Sequence, residues 1–413
     1  IERNAARKLV NRVPPNERHI QREKYKTLRN RVISSIRLDR KKCVTDSLSH
    51  GKNPWHVADR ILGRERNAEF QLKDENGKLI EDDKTKAEIM NEFFVTKVQR
   101  LRARIDGHQT VNEGFRGPSS LGGKFSFKSV TTNDVKNILK RMKRSRACGV
   151  DGISTDFIKP VIKEIAPAIA DLINSSLDEG VFPSCFKLAK IACIYKGKGD
   201  KTDKNNYRPV SNLALFGKCI EVAADMQLRN YCEKYGLFGC HQHGFRRARS
   251  TTTSLLTALS HWRTRRNERK YQGILIFDLS AAYDLLDRET FLVKAKSYGI
   301  IGKALNWLES YLSNRRQLVQ VNNSQSSPKN LDYGTPQGSS CSCLIFALYV
   351  GDIGKYVKNV QAFADDTFIT VEADSIEELR EQMKIEGEKV LSYFSNIKMV
   401  TNPSKTGMVV IHP

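Results

Sequence analysis

Residues 361–372 read QAFADDTFITVE, with Asp365 and Asp366 side by side between two apolar runs. Adjacent carboxylates repel, and burying them is costly unless a cation or a partner neutralises them. The runs on either side predict a β-hairpin with the pair at its bend, aimed at a common space. Asp is favoured in turns in any case, so the bend alone does not single out a function. A third carboxylate strengthens the case. The stretch GILIFDLSAAYDLLD, 273–287, opens with an apolar strand from Ile274 to Phe277 and delivers Asp278 at its end. A buried strand ending in Asp can meet a hairpin tip on the next strand. Three converging carboxylates need cations, and oxygen ligands with room for water and phosphate suit Mg²⁺. Two such ions about 4 Å apart form a clamp for in-line phosphoryl transfer.

Such carboxylates need a frame. Apolar spacing predicts helices over 133–145, 161–178, 213–234, 251–266, 288–298, 302–313, 340–356 and 376–397. Strands are expected at 190–195, 273–278, 316–322, 360–364, 367–372 and 407–411. Upstream, 70–80 reads as two short strands around an Asn76-Gly77 turn. A helix follows over 82–101, with Asp83 as its cap and Ile89, Phe93, Phe94, Val98 and Leu101 as one apolar stripe. The Gly-, Ser- and Asn-rich stretch 105–123 reads as a linker and the main domain boundary.

The chain has 413 residues, 69 Lys and Arg against 46 Asp and Glu, and a formal net charge of +23. That field favours polyanions such as nucleic acid. It is densest at the start, where residues 1–50 carry 14 basic and 5 acidic side chains. There, 22–42 predicts a helix with Leu28, Val32, Ile36 and Leu38 under a basic face. The nine cysteines include no CxxC pair and lack a zinc spacing. They read as reduced intracellular thiols. No run approaches the length of a membrane span, and the charged N-terminus is no signal peptide. Cytoplasmic and nuclear residence follows as an expectation.

The order of the blocks carries a resemblance. FDLSAAYDLLD, then GTPQGSSCSCLIFALYVGDI (334–353), then AFADDT resembles the A, B and C motifs of reverse transcriptases. Upstream, SRACGVDGISTDFIK (145–159), IACIYKGKGDKTDKNNYRPVSNL (191–213) and HQHGFRRARSTT (241–252) are similar to the fingers blocks in order. VTNPSKTGMVV (400–410) is similar to the block after C. The likeness is to the enzymes of non-LTR, LINE-type retrotransposons and is strong over 140–413. Less specifically, NPWHVADRILG (53–63) through NEFFVTKV (91–98) resembles the segment before their polymerase.

The resemblance implies an α+β, right-hand polymerase fold. It would have a palm sheet with helices on one face, plus fingers, after a basic and mainly helical N-terminal segment. It divides the chain into an extension at 1–104, a linker at 105–128, fingers at 129–270 and palm at 271–413. Asp278 and Asp365 would be the main metal ligands, Asp366 assisting and the Leu279 carbonyl adding an oxygen. The ions would be two Mg²⁺, with Mn²⁺ an alternative. Tyr283 would gate the sugar by clashing with a 2′-OH. Gln337 and Gly338 would cradle the base pair being formed. Lys196, with Lys198 as a competing candidate, and Arg208 would bind triphosphate. Gln242, Gly244, Phe245 and Arg246 would touch template, and Lys405 would protonate the leaving pyrophosphate. The implied partners are an RNA template, a DNA primer and dNTPs, with no membrane. For each basic residue a plain solvated surface is the alternative, and for Tyr283 a core position.

Two positions depart from the family pattern: Cys343 stands where Pro is usual, and Gly351 where Asn is usual. The family's primer grip and thumb would follow Pro413. The expectation is therefore a chain that folds and binds nucleic acid but extends primers poorly. The rival readings are a non-catalytic nucleic-acid-binding remnant of an element and an RNA-dependent RNA polymerase. Tyr283 and the fingers blocks argue against the latter.

Overall fold

The structure is a computed structural model that describes residues 13–14, 17–49, 70–74, 76–105 and 123–413. The 53–63 stretch and most of the expected linker lie outside these residues. The chain divides into two compact units, Ile1–Phe70 and Gln71–Pro413. In the first, the expected basic helix is present as Arg18–Ser49. Leu28 and Val32 are half-buried and Leu38 is exposed, while the Ile36 side chain is among those not described.

Among its described residues the second unit holds nine strands, β1 (Leu188–Tyr195), β2 (Tyr207–Asn212), β3 (Tyr271–Phe277), β4 (Arg315–Val321), β5 (Ser324–Gln325), β6 (Lys329–Leu331), β7 (Val360–Phe363), β8 (Asp366–Ala373) and β9 (Gly407–Ile411). They form a mixed α/β architecture with two sheets. One runs β2-β1-β4-β5, with β6 also on β4. Its β1–β4 pair is parallel and its other pairs are antiparallel. The other runs β7-β8-β3-β9 and is antiparallel throughout. The division expected at 270/271 therefore does not follow the sheets, because β4–β6 join β1 and β2. Strand pairing is a long-range choice that composition does not carry.

Helices lie on both faces of the second sheet, not on one. Gly273 of β3 approaches Met383, and Leu275 meets Gly387, both on the Ile376–Asn396 helix. On the opposite face, Trp262 of the Thr251–Asn267 helix donates to Thr370 Oγ1 at 2.9 Å, and Gln272 donates to the Trp262 carbonyl. The same helix pairs Arg265 with Glu372 at 2.9 Å. Side chains alternate along a strand, so this second face runs Gln272, Ile274, Ile276 and on toward Asp278. Ile274 is buried under the helix, whereas Ile276 is 41% exposed. The sheet is thus covered at one end and open toward the carboxylates.

Behind the sheets lies one apolar core. At its centre is the Ser340–Tyr349 helix, buried from Cys341 to Tyr349 except for the half-buried Cys343. A helix apolar all round belongs in an interior. It ends at Tyr349, short of the expected 356. Just past it, a Cβ at Gly351 would press on the carbonyls of Ala347 and Leu237 at 2.9 and 3.0 Å. The departure from the family's Asn is thus a steric requirement of this fold.

The Asp83–Ala103 helix belongs with the sheets, not with a separate extension. Its N-cap is Asp82, not the expected Asp83; Asp83 instead accepts from Asn322 and pairs with Lys86. Ala87, Met90 and Phe94 are its buried apolar face, while Ile89 and Phe93 are only half-buried. Asn91 donates to Ser326 and Ser327 and accepts from Gln317. Arg102 forms a buried ion pair with Asp287 at 2.9 Å. Upstream, the expected hairpin at 70–80 is reduced to one bridge, Lys73 with Leu79, closed by Gly77 at φ +81°.

Candidate functional site

The register of the second sheet puts three carboxylates at one end of it. Phe277 faces Thr367 across β3 and β8, so Asp278 emerges beside the β7–β8 bend. Phe363 pairs with Asp366, which leaves Ala364 and Asp365 as a two-residue turn. Asp278 is held from its other side. Asn402 donates its backbone N–H to the Asp278 carbonyl at 2.8 Å and its amide to Oδ2 at 3.2 Å. Lys405 pairs with the same carboxylate at 3.0 Å.

Asp365 sits in a field that resists its ionisation. Burial pushes its carboxyl above the usual range, the charges of Asp366 and Asp278 push it further, and Lys405 opposes them. Asp278 and Asp365 therefore sense each other, with one protein cation between them. Asp366 is exposed on the flank. Among the described residues no three His, Cys, Asp or Glu side chains are gathered into a ready-made metal-binding group. The expected convergence is thus one of two coupled carboxylates rather than a closed triad. Ser280 N–H donates to the Val400 carbonyl and Asn402 N–H to the Asp278 carbonyl, leaving the Leu279 carbonyl outside that ladder. Two neighbouring carboxylates and a carbonyl are a hard, all-oxygen donor set, which fits Mg²⁺ and also Mn²⁺.

The basic residues expected at a triphosphate cluster at the open end of β1 and β2. Ile194 pairs with Arg208, and Lys196 follows directly. Lys196 is half-buried and donates to the Asn205 carbonyl at 2.5 Å. Burial lowers its proton affinity, and the charges of Lys97, Arg208 and Lys405 lower it further. Arg208 and Lys198 are exposed. Sequence reasoning missed Lys97, which the Asp83–Ala103 helix brings to this group. It also missed Asn402, although NPSKT was in view.

Tyr283 lies on the Ala282–Leu285 helical turn and packs on Phe346, ring centroids 5.0 Å apart. Burial, together with Cys343 and Asp365 nearby, keeps its hydroxyl protonated far above the usual range. It is half-buried, so both a gate and a core role use the same contacts. The Gln337 carbonyl accepts from Ser211 N at 2.9 Å, docking its loop on β2. Gly338 is exposed at φ +108°, a conformation open to glycine. A small cavity of about 70 Å³ lies between this loop and the Asp83–Ala103 helix, lined by Lys97, Tyr207, Ser211, Asp284 and Gln337. Burial pushes the Asp284 carboxyl up to about 6, with Lys97 opposing.

Three of the four expected template contacts are not available to a template. Gln242 is fully buried and its amide bonds the backbone of Ala364. Gly244 is buried against that same turn. Arg246 turns inward, pairing with Glu233 at 2.6 Å and donating to the carbonyls of Gly239 and Gln242. Only Phe245, 44% exposed at φ +58°, faces solvent. A polar residue in a basic loop reads as a surface residue, and only the fold shows what it is buried against.

Comparison with known proteins adds an independent line. Residues 197–411 match the family model described as "Reverse transcriptase (RNA-dependent DNA polymerase)". A probable RNA-directed DNA polymerase from transposon BS of Drosophila melanogaster is 22% identical over 85% of this chain and 39% of its own length. The RNA-directed DNA polymerase from mobile element jockey of the same species is 26% identical over 64% of this chain and 28% of its own. A putative 115 kDa protein in the type-1 retrotransposable element R1DM is 25% identical over 81% of this chain and 31% of its own. The chain spans about two fifths or less of the length of these relatives.

Proposed function

The chain belongs to the reverse transcriptase (RNA-dependent DNA polymerase) family, and from that premise we propose that it carries the nucleotidyl-transfer centre of a non-LTR retrotransposon's RNA-directed DNA polymerase. In this reading the fold is a right hand. The second sheet is the palm, drawn from 271–413, and the fingers come from 129–270 together with β4–β6. The carrying observation is the pair of electrostatically coupled carboxylates, Asp278 and Asp365, at adjacent strand ends beside Lys405.

The reaction is template-directed DNA synthesis. A primer 3′-OH forms a new P–O bond to the α-phosphate of a dNTP, and the bond to pyrophosphate breaks. Asp278 and Asp365, with the Leu279 carbonyl, would hold Mg²⁺, which when bound lowers the pKa of the attacking hydroxyl and offsets the charge of the transition state. Asp366 assists from the flank. Lys196 and Arg208 hold the triphosphate, with Lys198 and Lys97 adding positive field. Lys405 gives a proton to the departing pyrophosphate. The Tyr283 ring lies under the incoming sugar, and the Gln337–Gly338 loop borders the nascent base pair. Orientation by these groups supplies much of the rate. Phe245 is the template contact that remains.

The test is primer extension on an RNA template with dNTPs and Mg²⁺. Asp365→Asn should lower the rate by at least about 10³-fold, because it removes a charge on which the reacting centre depends. Nucleic-acid affinity should hold. Equal activity in wild type and variant would overturn the assignment. Nucleic-acid binding with no extension by wild type would favour the second reading, a non-catalytic binding remnant, which the +23 charge also supports.

A further inference from the structure

We propose that Gln242 is a positioning residue for the nucleotidyl-transfer centre. Its side-chain amide stands in for a missing peptide unit and holds the Ala364–Asp365 turn, and so the Asp365 carboxylate, in its reactive geometry. The inference rests on the reading just given for Asp365.

The turn needs holding. Ala364 has φ +58°, a left-handed conformation that crowds the Cβ of an L-residue against its own backbone. Two-residue hairpin turns with a positive φ at their first position favour Gly there. Here the position carries Ala, and the residue is 7% exposed. A buried peptide N–H and C=O must find partners. A two-residue turn offers them none within the hairpin, because the ladder has already closed at Phe363 and Asp366.

Gln242 supplies both partners. Ala364 N–H donates to Gln242 Oε1 at 3.0 Å, and Gln242 Nε2 donates to the Ala364 carbonyl at 3.2 Å. Among the side chains, only an amide offers this donor and acceptor pair at the reach and spacing of a peptide. Gly244 N–H also donates to Oε1 at 2.8 Å, which fixes the amide's orientation.

The backbone around Gln242 is anchored to the same hairpin. Ala362 N–H donates to the His241 carbonyl at 3.0 Å, and His243 N–H donates to the Ala362 carbonyl at 2.8 Å. At Gly244 a Cβ would fall inside contact distance of the Ala364 nitrogen, so only glycine permits the approach. Arg246 fastens the loop from behind through Glu233 and the Gln242 carbonyl. The path runs from Glu233 through Arg246 and Gln242 to the residue before Asp365. None of these side chains needs to touch substrate.

The test uses Gln242→Met, which keeps volume and removes all three hydrogen bonds. Three readouts are taken on the full chain. Hydrogen exchange of the 361–366 peptide should speed up at least about 10-fold, with the Ile376–Asn396 helix unchanged. Mn²⁺ affinity, read by electron paramagnetic resonance without substrate, should weaken. Single-turnover extension should slow by about 10²-fold with the dNTP KM little changed, since a misplacement near 1 Å costs on that order. Adding Ala364→Gly, which relieves the demand for a held left-handed turn, should restore part of the lost rate and affinity.

Unchanged local exchange and Mn²⁺ affinity in folded Gln242→Met would overturn the inference. So would loss of protection across the whole chain without recovery by Ala364→Gly. Should Gln242→Met not fold, Gln242→Asn, one methylene too short to span both groups, gives the same readouts. Exchange and Mn²⁺ binding need no turnover, so they judge Gln242 even if wild type extends no primer. Failure of extension alone would count against the reading of the active centre instead.

Discussion

Asp287 is buried and Asp365 half-buried in the same unit, and the fold treats these two carboxylates in opposite ways. Burial alone would push Asp287 upward. Hydrogen bonds from Thr290 and the charge of Lys398 outweigh it and bring the carboxyl below its usual range. Arg102 at 2.9 Å and Lys398 at 3.2 Å complete its neutralisation. Asp365 is pushed upward by burial and then by two more carboxylates, which outweigh a backbone hydrogen bond and its one opposing cation, Lys405. Asp352 is likewise paired inside the fold, with Lys294 at 2.6 Å and Tyr393 donating at 2.6 Å. A carboxylate that holds a fold together is matched from within. Asp365, by contrast, is left short of positive charge, the condition expected of a carboxylate proposed to hold a cation.

The comparison breaks most readily at Asp287. Asp287→Ala strands cations that the wild type pairs and should cost about 3–5 kcal/mol in a urea melt, the usual penalty for breaking a buried pair. The sign with pH follows from the direction of the shift. A carboxyl held low contributes stability that is present above its unfolded pKa and lost as pH falls through its folded one. The gap between wild type and Asp287→Asn should therefore narrow on acidification below about pH 4. A gap that widens there would remove Asp287 from the structural class.

Around Asp365 the comparison predicts effects on chemistry ahead of stability. Tyr283→Val should raise ribonucleotide incorporation by about 10-fold or more, the range for one pocket contact. Binding to template should stay as it was. An unchanged ratio of dNTP to rNTP use would leave Tyr283 as packing for Phe346.

The smallest effect is the sharpest in sign. Removing the charge at Asp365 abolishes the source of repulsion with Asp366 and Asp278. Asp365→Asn should raise stability by about 0.5–1 kcal/mol after solvent screening. A fall of the same size would mean that Asp365 is matched within the protein after all, and the contrast with Asp287 would collapse.

Much of this was legible along the chain, because the signals are local. Alternation placed β7 and β8 to within a residue or two, and the apolar run before Asp278 marked the end of β3. The helix expected at 161–178 follows from its apolar period and the Gly180 cap, and the one expected at 251–266 from the Ser250 capping box. Where the signal was a single side chain the reading slipped by one, as with Asp82 and Asp83, since either aspartate satisfies the same rule.

What the sequence determined by itself was the family: three aspartates at strand ends, in an order of blocks that marks it. What the tertiary structure decided was which polar groups face water and which face each other. Gln242 lies 122 residues from the turn it holds. Arg102 lies 185 residues from the carboxylate it matches. The helix at Thr251–Asn267 covers one face of β3 and β8, bonding to Thr370 and Gln272. Such pairings answer to the cost of leaving a buried donor or charge unmet, and that cost exists only once distant segments have been packed around it.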